Sequence, residues 1–276
     1  MSKTELAPMG ASAVALPAGW AEKLSQQAKD AAAAERPSVS KIGLRGGFLQ
    51  IGGEPIKGNI LPCVVLAAGH RNVYYSKPFD ANNLANPDCF ALSLTGEGME
   101  AHENVPDDNI PPNSDEKERA TPRACEGCAY NDWGSDPKGG RGKACKETRR
   151  LIVLPEDALA DADAVKKAEL AIIDIPVTSG KNYSNFVNSV AAQAGVPPWV
   201  VLTNISTERD AKTQFKVTFT PLSVVQNAGV LTALEAKKDE AERLILLPYD
   251  EVGSTESGKM QDAPAPAAKK TAKQKF

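Results

Sequence analysis

Residues 125–154 read CEGCAYNDWGSDPKGGRGKACKETRRLIVL, and both ends of this run organise the chain. It starts with Cys125-Glu126-Gly127-Cys128, a CxxC whose glycine lets the backbone wrap so that both sulfurs meet one ion. It ends with LIVL, a strand signal that closes a long stretch poor in aliphatic residues. Cys145 follows Cys128 after 16 intervening residues and Cys89 precedes Cys125 after 35, giving C-x35-C-x2-C-x16-C. Four thiolates around Zn2+ form a closed structural site whose binding energy substitutes for a missing core. Cys89, Cys125, Cys128 and Cys145 are therefore the expected zinc ligands, with His102 as the alternative to Cys89. Unpaired buried thiols and a redox CxxC are the competing readings. A redox pair opens a helix in a βαβ unit, whereas Pro122 and Ala124 lead into this one. Cys63 lies in ILPCVVLAA, residues 60–68, and reads as a core residue.

Outward from this run, residues 80–150 are rich in Asn, Pro, Gly and charge. Within them 97–119 hold eight acids and two bases, net −6, which reads as a solvated loop. Before this insertion, strand signals at 41–44, 47–51, 60–68 and 72–75 are separated by glycine turns, with 69–71 expected to turn between the last two. After it come strands at 151–154 and 170–175 and a helix at 179–194, with Tyr183, Phe186, Val187 and Val190 on one stripe. A hairpin from 199–205 to 214–220 and a helix over about 224–243 follow. The expected fold is α+β: an OB-like β-barrel over 38–251, interrupted by a four-cysteine zinc module at about 80–150, with peripheral helices. Residues 1–37 read as a flexible arm with a short helix near 19–34. Residues 252–276 read as a disordered basic tail with Lys269, Lys270, Lys273 and Lys275.

The chain has 276 residues, 42% apolar and 24% charged, with a net charge of −3, which excludes a uniformly basic coat. Any grip on nucleic acid must come from a local patch. No apolar run approaches the ~18 residues of a membrane span, and no basic n-region precedes an apolar core, so neither a membrane segment nor a signal peptide is expected. Two histidines are too few for multi-histidine catalysis, and no clustered Asp, Glu and His set suits Mg2+. An enzyme is not expected.

The local patch lies in the decisive run itself. Residues 121–150 carry seven bases and four acids, net +3. Lys138, Arg141, Lys143, Lys146, Arg149 and Arg150 cluster around Gly139, Gly140 and Gly142, which allow close backbone approach to a phosphate. Trp133 lies just before them. Upstream, Arg71, Tyr74, Tyr75, Lys77 and Phe79 repeat the interleaving of cations and rings. Bases stack on rings while phosphates meet cations, which is what sequence-independent single-strand binding requires.

The pattern P-x-C-F, then C-x-x-C-x-x-N-x-W-G-S, then G-K-A-C-K-x-x-R-R, over about 87–154, resembles a family of tailed-phage proteins carried near replication and recombination genes. The architecture resembles phage single-stranded DNA-binding proteins that carry a zinc module inside an OB-fold. The resemblance implies a bacterial host cytoplasm, single-stranded DNA as the partner, and contact with phage replication or recombination proteins. The chain departs from that pattern at the C-terminus, which is basic instead of acidic. The alternative function is a structural or adaptor protein in which zinc only stabilises the fold.

Overall fold

A computed structural model describes residues 40–77 and 86–248, together with Trp20, Leu24 and Gln27, which are helical. The rest of the expected arm, Phe79 and the basic tail lie outside the described residues. The chain is mixed α+β, built on a nine-stranded sheet curled into a half-barrel. The strands are β1 (Ser40–Arg45), β2 (Phe48–Ile51), β3 (Glu54–Pro55), β4 (Ile60–Tyr74), β5 (Cys89–Ser93), β6 (Lys146–Pro155), β7 (Ala171–Ile175), β8 (Val201–Asp210) and β9 (Gln214–Val224). Their order is β3-β2-β1-β7-β6-β4-β8-β9, with β5 beside β4. Among these strands only β1 and β7 pair parallel, with Ile42 opposite Ile173; the other neighbours are antiparallel.

Successive side chains on a strand point to opposite faces, and this chain uses both. Cys63, Val65, Leu151, Val153, Ile173 and Ile175 turn inward. Val64, Leu66, Ile152, Leu154 and Ile172 turn outward. Helix α2 (Gly180–Ala194) closes one end of the interior with Tyr183, Phe186 and Val190. It ends at Gly195, whose φ of 65° is the left-handed C-cap geometry glycine accepts. The outer face is covered by α1 (Ala162–Lys167) and α3 (Ala228–Ile245) through Val165, Val230, Leu234 and Ile245. Asp161 and Asn227 cap these two helices with side-chain oxygens. The curl brings the β1–β2 turn onto β8 and β9. Gly47 lies against the Phe215 ring, and its carbonyl accepts from Thr207 Oγ1 and from Asn59 Nδ2.

Three sequence expectations are corrected here. Residues 60–75 do not fold back at 69–71: β4 runs unbroken to Tyr74, with one bulge between Val65 and Ala67. Gly69 serves close approach instead of a turn, because a Cβ there would lie 2.1 Å from Ile245 Cγ2 and 2.9 Å from Ser93 O. Strand β6 begins at Lys146, not Leu151, so its basic start is pleated and not a loop. The short helix α1 and strand β5 had no clear sequence signal. The last helix starts at Ala228, because Val224 is still paired to Val201 in the β8–β9 hairpin.

Candidate metal centre and nucleic-acid interface

Cys89 opens β5, opposite Tyr74 of β4, and Cys145 stands just before β6. Cys125 and Cys128 lie in a turn in which Cys128 N–H donates to Cys125 O over 3.4 Å. Gly127 sits at φ 74° in that turn, and a Cβ would meet Glu118 O at 2.7 Å, so only glycine fits there. Neighbouring segments fix the turn: Cys125 N–H donates to Met99 O, Ser114 N–H to Gly127 O, and Asn131 Nδ2 to Cys125 O. Cys145 N–H donates to Tyr130 O. By these bonds residues distant in sequence converge, and all four cysteines line one cavity of about 20 Å³. That is about the room one water-sized sphere needs.

Burial pushes the Cys89 thiol up to about 12, helped by Cys125 and Cys128 and opposed by Arg119 and Arg123. Burial likewise raises Cys125 to about 11, against a hydrogen bond from Asn72. Cys145 is raised by burial and then by Cys125, Cys128 and Cys89, so each of the other three sulfurs is close enough to be felt. Among the described residues, no group of three or more Cys, His, Asp or Glu side chains stands in an arrangement that could hold a metal ion. The four thiols therefore share a cavity without forming a coordination sphere. Their chemistry fits a soft divalent ion: thiolate sulfur is a soft ligand, and metal binding would release the thiol protons. His102 does not line the cavity. Its ring stacks on Phe90 at 5.0 Å, and its Nδ1 accepts from Asn104 N–H. Cys63 is buried in the barrel interior, as expected.

The expected nucleic-acid contacts divide. Arg71 and Arg150 do not face solvent: both turn outward under the end of α3 and grip Asp174. Arg71 Nη1 lies 2.5 Å from Asp174 Oδ2. Arg150 Nε lies 3.2 Å from Oδ1, and its Nη1 donates to Ile245 O and Leu247 O. Burial would raise the Asp174 carboxyl, but Arg71 and Arg150 hold it below the usual range. These two arginines are structural, and they leave the set of phosphate contacts. Tyr74 is half-buried, and the Tyr130 ring at 4.4 Å covers one of its faces. Lys146 is held by Asp136 at 2.5 Å.

The rest remain on the surface. Tyr75, Lys77, Lys138 and Arg141 are exposed, and the three cations among them make no ion pair among the described residues. Trp133 is 78% exposed, with Lys143 Nζ 5.1 Å above its ring. Lys143 also pairs with Glu147 at 2.6 Å. Register places His70, Asn72, Glu147 and Arg149 on one face of β4 and β6. Beyond the barrel core this face becomes the floor of a groove of about 890 Å³. Trp133 and Lys143 line it from the insert, and Val177, after β7, completes its lining. Arg149 is half-buried on this floor. It donates to His70 Nδ1 and has no carboxylate partner among the described residues. No sequence signal marked His70, Asn72 or Val177 as groove residues, since only the sheet register and the insert bring them there. The titratable lining also includes Glu97, Glu116, Glu126, Asp132, Glu147 and Lys117, so acids outnumber bases five to three.

Among the described residues, no helix is long and apolar enough to cross a membrane. Comparisons with family models, curated proteins and solved structures find no match.

Proposed function

We propose that this chain is a sequence-independent single-stranded DNA-binding protein of the tailed-phage kind, acting in replication or recombination, with a structural zinc held by Cys89, Cys125, Cys128 and Cys145. The observation that carries this reading is the groove. It gathers Trp133, Lys143 and Arg149, three of the expected contacts, into one channel beside the cysteine cavity. An exposed ring under a cation offers a stacking platform, and a guanidinium on the floor with no carboxylate partner offers a phosphate contact. The exposed bases Lys138 and Arg141 extend the path along the glycine-rich loop.

The strand order supports an OB-like reading of the half-barrel. Strands β4, β6 and β7 form a meander, α2 follows, and the β8–β9 hairpin returns to β4 through β8. The cysteine module then falls between the first two strands of that barrel, and the β1–β2 hairpin stands between β7 and β9. In OB-folds the first inter-strand loop is one of the segments that grip oligonucleotides. Zinc bound by the four thiolates would hold that loop rigid, and the ion itself would touch no strand.

Fluorescence anisotropy with labelled single- and double-stranded oligonucleotides over a salt series tests the reading. Three or four phosphate contacts, from Lys138, Arg141, Arg149 and Lys77, give a log–log salt slope of about −2 to −3 on a single strand. Equal and feeble binding to both forms ends the proposal. A second reading has one observation in its favour: the acid excess in the groove suits a basic protein segment better than a phosphate backbone. An adaptor of that kind would show flat anisotropy with both oligonucleotides.

A further inference from the structure

Two guanidiniums border the cavity shared by the four cysteines, and no role proposed so far uses them. Arg119 donates Nε to Gly127 O, Nη1 to Pro122 O and Nη2 to Pro112 O, at 3.2, 2.6 and 3.1 Å. Arg123 donates Nε to Ala101 O at 3.2 Å, and Nη2 to His102 O and Val105 O at 2.6 and 2.7 Å. These carbonyls belong to the segments that carry the CxxC turn and the wall behind Cys89. Dipoles satisfy the N–H groups but leave the charges unanswered. Arg119 has no carboxylate partner among the described residues. Arg123 has only Asp107, whose side chain is 94% exposed, so water screens that pair.

Two half-buried cations line a cavity that they share with four cysteine sulfurs, and no buried carboxylate faces them among the described residues. Four thiolates around a divalent ion carry two negative charges between them, and two guanidiniums equal that number. We propose that Arg119 and Arg123 are the counter-cations of a tetrathiolate metal site, setting its charge as well as holding its loops. This rests on the zinc reading above and sharpens it. The surroundings suit four thiolates and not three thiolates and a neutral imidazole, which would leave one positive charge over. It agrees with the position of His102, which lies outside the cavity. Both arginines are positioning residues, since they touch carbonyl oxygens and not the ion.

The test uses the full chain as purified. Zinc transfer to a chromophoric chelator gives relative affinity, and the absorption of cobalt-loaded protein reports the thiolate set. Arg119→Gln and Arg123→Gln should each weaken metal binding by about 10–100-fold, the usual effect of losing a group that supports a metal ligand. Arg119→Lys and Arg123→Lys keep the charge but cannot fork onto three carbonyls, and should stay within a few-fold of wild type. Equal losses in the Gln and Lys variants overturn the charge role, and no loss in any variant overturns the proposal entirely. Should the Gln variants not fold by circular dichroism, the Lys variants decide: near-wild-type affinity supports charge matching, and a tenfold loss overturns it. A wild-type chain that takes up neither metal refutes the zinc reading itself, which is a separate result.

Discussion

In the half-barrel, β4, β6 and β7 bury aliphatic side chains on both faces, and Leu151, Ile152, Val153 and Leu154 are all fully buried in sequence. The insert between β4 and β6 has one small apolar cluster, Cys89, Phe90, Ala101 and Val105 packed with Val73 of β4. A fully buried aliphatic side chain stabilises by about 1.5–3 kcal/mol, so apolar burial is the main support of the half-barrel. The insert has too few such residues. It is held by guanidinium-to-carbonyl bonds and by backbone bonds between distant segments, around a cavity that four thiols share. Two regions of one chain thus reach order by different chemistry, and each should fail to a different insult.

Metal removal separates them most widely. On the zinc reading, structural zinc contributes on the order of 10 kcal/mol or more to the unit it orders, and that unit would be the insert. Stripping the protein with a strong chelator should speed hydrogen exchange at the amides of Cys125, Cys128, Ser114 and Cys145. Amides in β4 and β6, such as Val64 and Val153, should keep their protection. Loss of protection in both regions together would show that the insert and the barrel are one cooperative unit.

On the outer face of the sheet, Asp174 bridges Arg71 and Arg150 and, through Arg150, the carbonyls of Ile245 and Leu247 at the end of α3. Asp174→Asn leaves two buried cations short of their counter-charge, and breaking such a buried pair costs about 3–5 kcal/mol. The pH dependence has a definite sign. The carboxyl is held below its ordinary value in the folded chain, so its contribution is present above the unfolded pKa of about 3.9. It is lost as pH falls through the folded value. Wild-type stability should therefore drop on acidification below about pH 4, and the Asn variant should lack that component in a urea titration over the same range. A variant as stable as wild type at neutral pH would mean that the outer face does not depend on this bridge.

How much was legible follows the same division. The barrel strands announce themselves by apolar runs, and helix α2 by the spacing of Tyr183, Phe186 and Val190. The spacing of the four cysteines pointed to one cavity. Burial within a strand was not legible for the charged residues. Arg149 and Arg150 are adjacent and chemically alike, yet the pleat sends one to the groove floor and the other into the outer core beside Asp174. Their fates turn on β6 beginning at Lys146, and a run of polar residues carries no strand signal there. Gly69 reads as a turn because glycine marks turns and close approaches equally, and only the position of Ile245 tells them apart. The groove belongs to neither region, so no local pattern could have shown its acid excess.

The smallest expected effect bears on whether that shared groove serves nucleic acid at all. Trp133 is exposed, and its ring meets Lys143 but is not part of any of the three apolar clusters. Trp133→Ala should leave thermal stability nearly unchanged, within about 0.5 kcal/mol, as for surface positions generally. On the proposed reading it weakens single-strand binding by about 1–3 kcal/mol, the worth of one stacked base. It should also remove the share of oligonucleotide fluorescence quenching that Trp133 contributes, measured against a Trp20→Phe background because Trp20 is exposed too, while Trp199 packs against both apolar clusters. Trp133→Phe keeps a stacking face and should recover much of the affinity, which a merely structural tryptophan would not require. If the Ala variant folds and binds like wild type, bases do not stack there. The five acids lining the groove would then argue for a basic protein segment as its occupant.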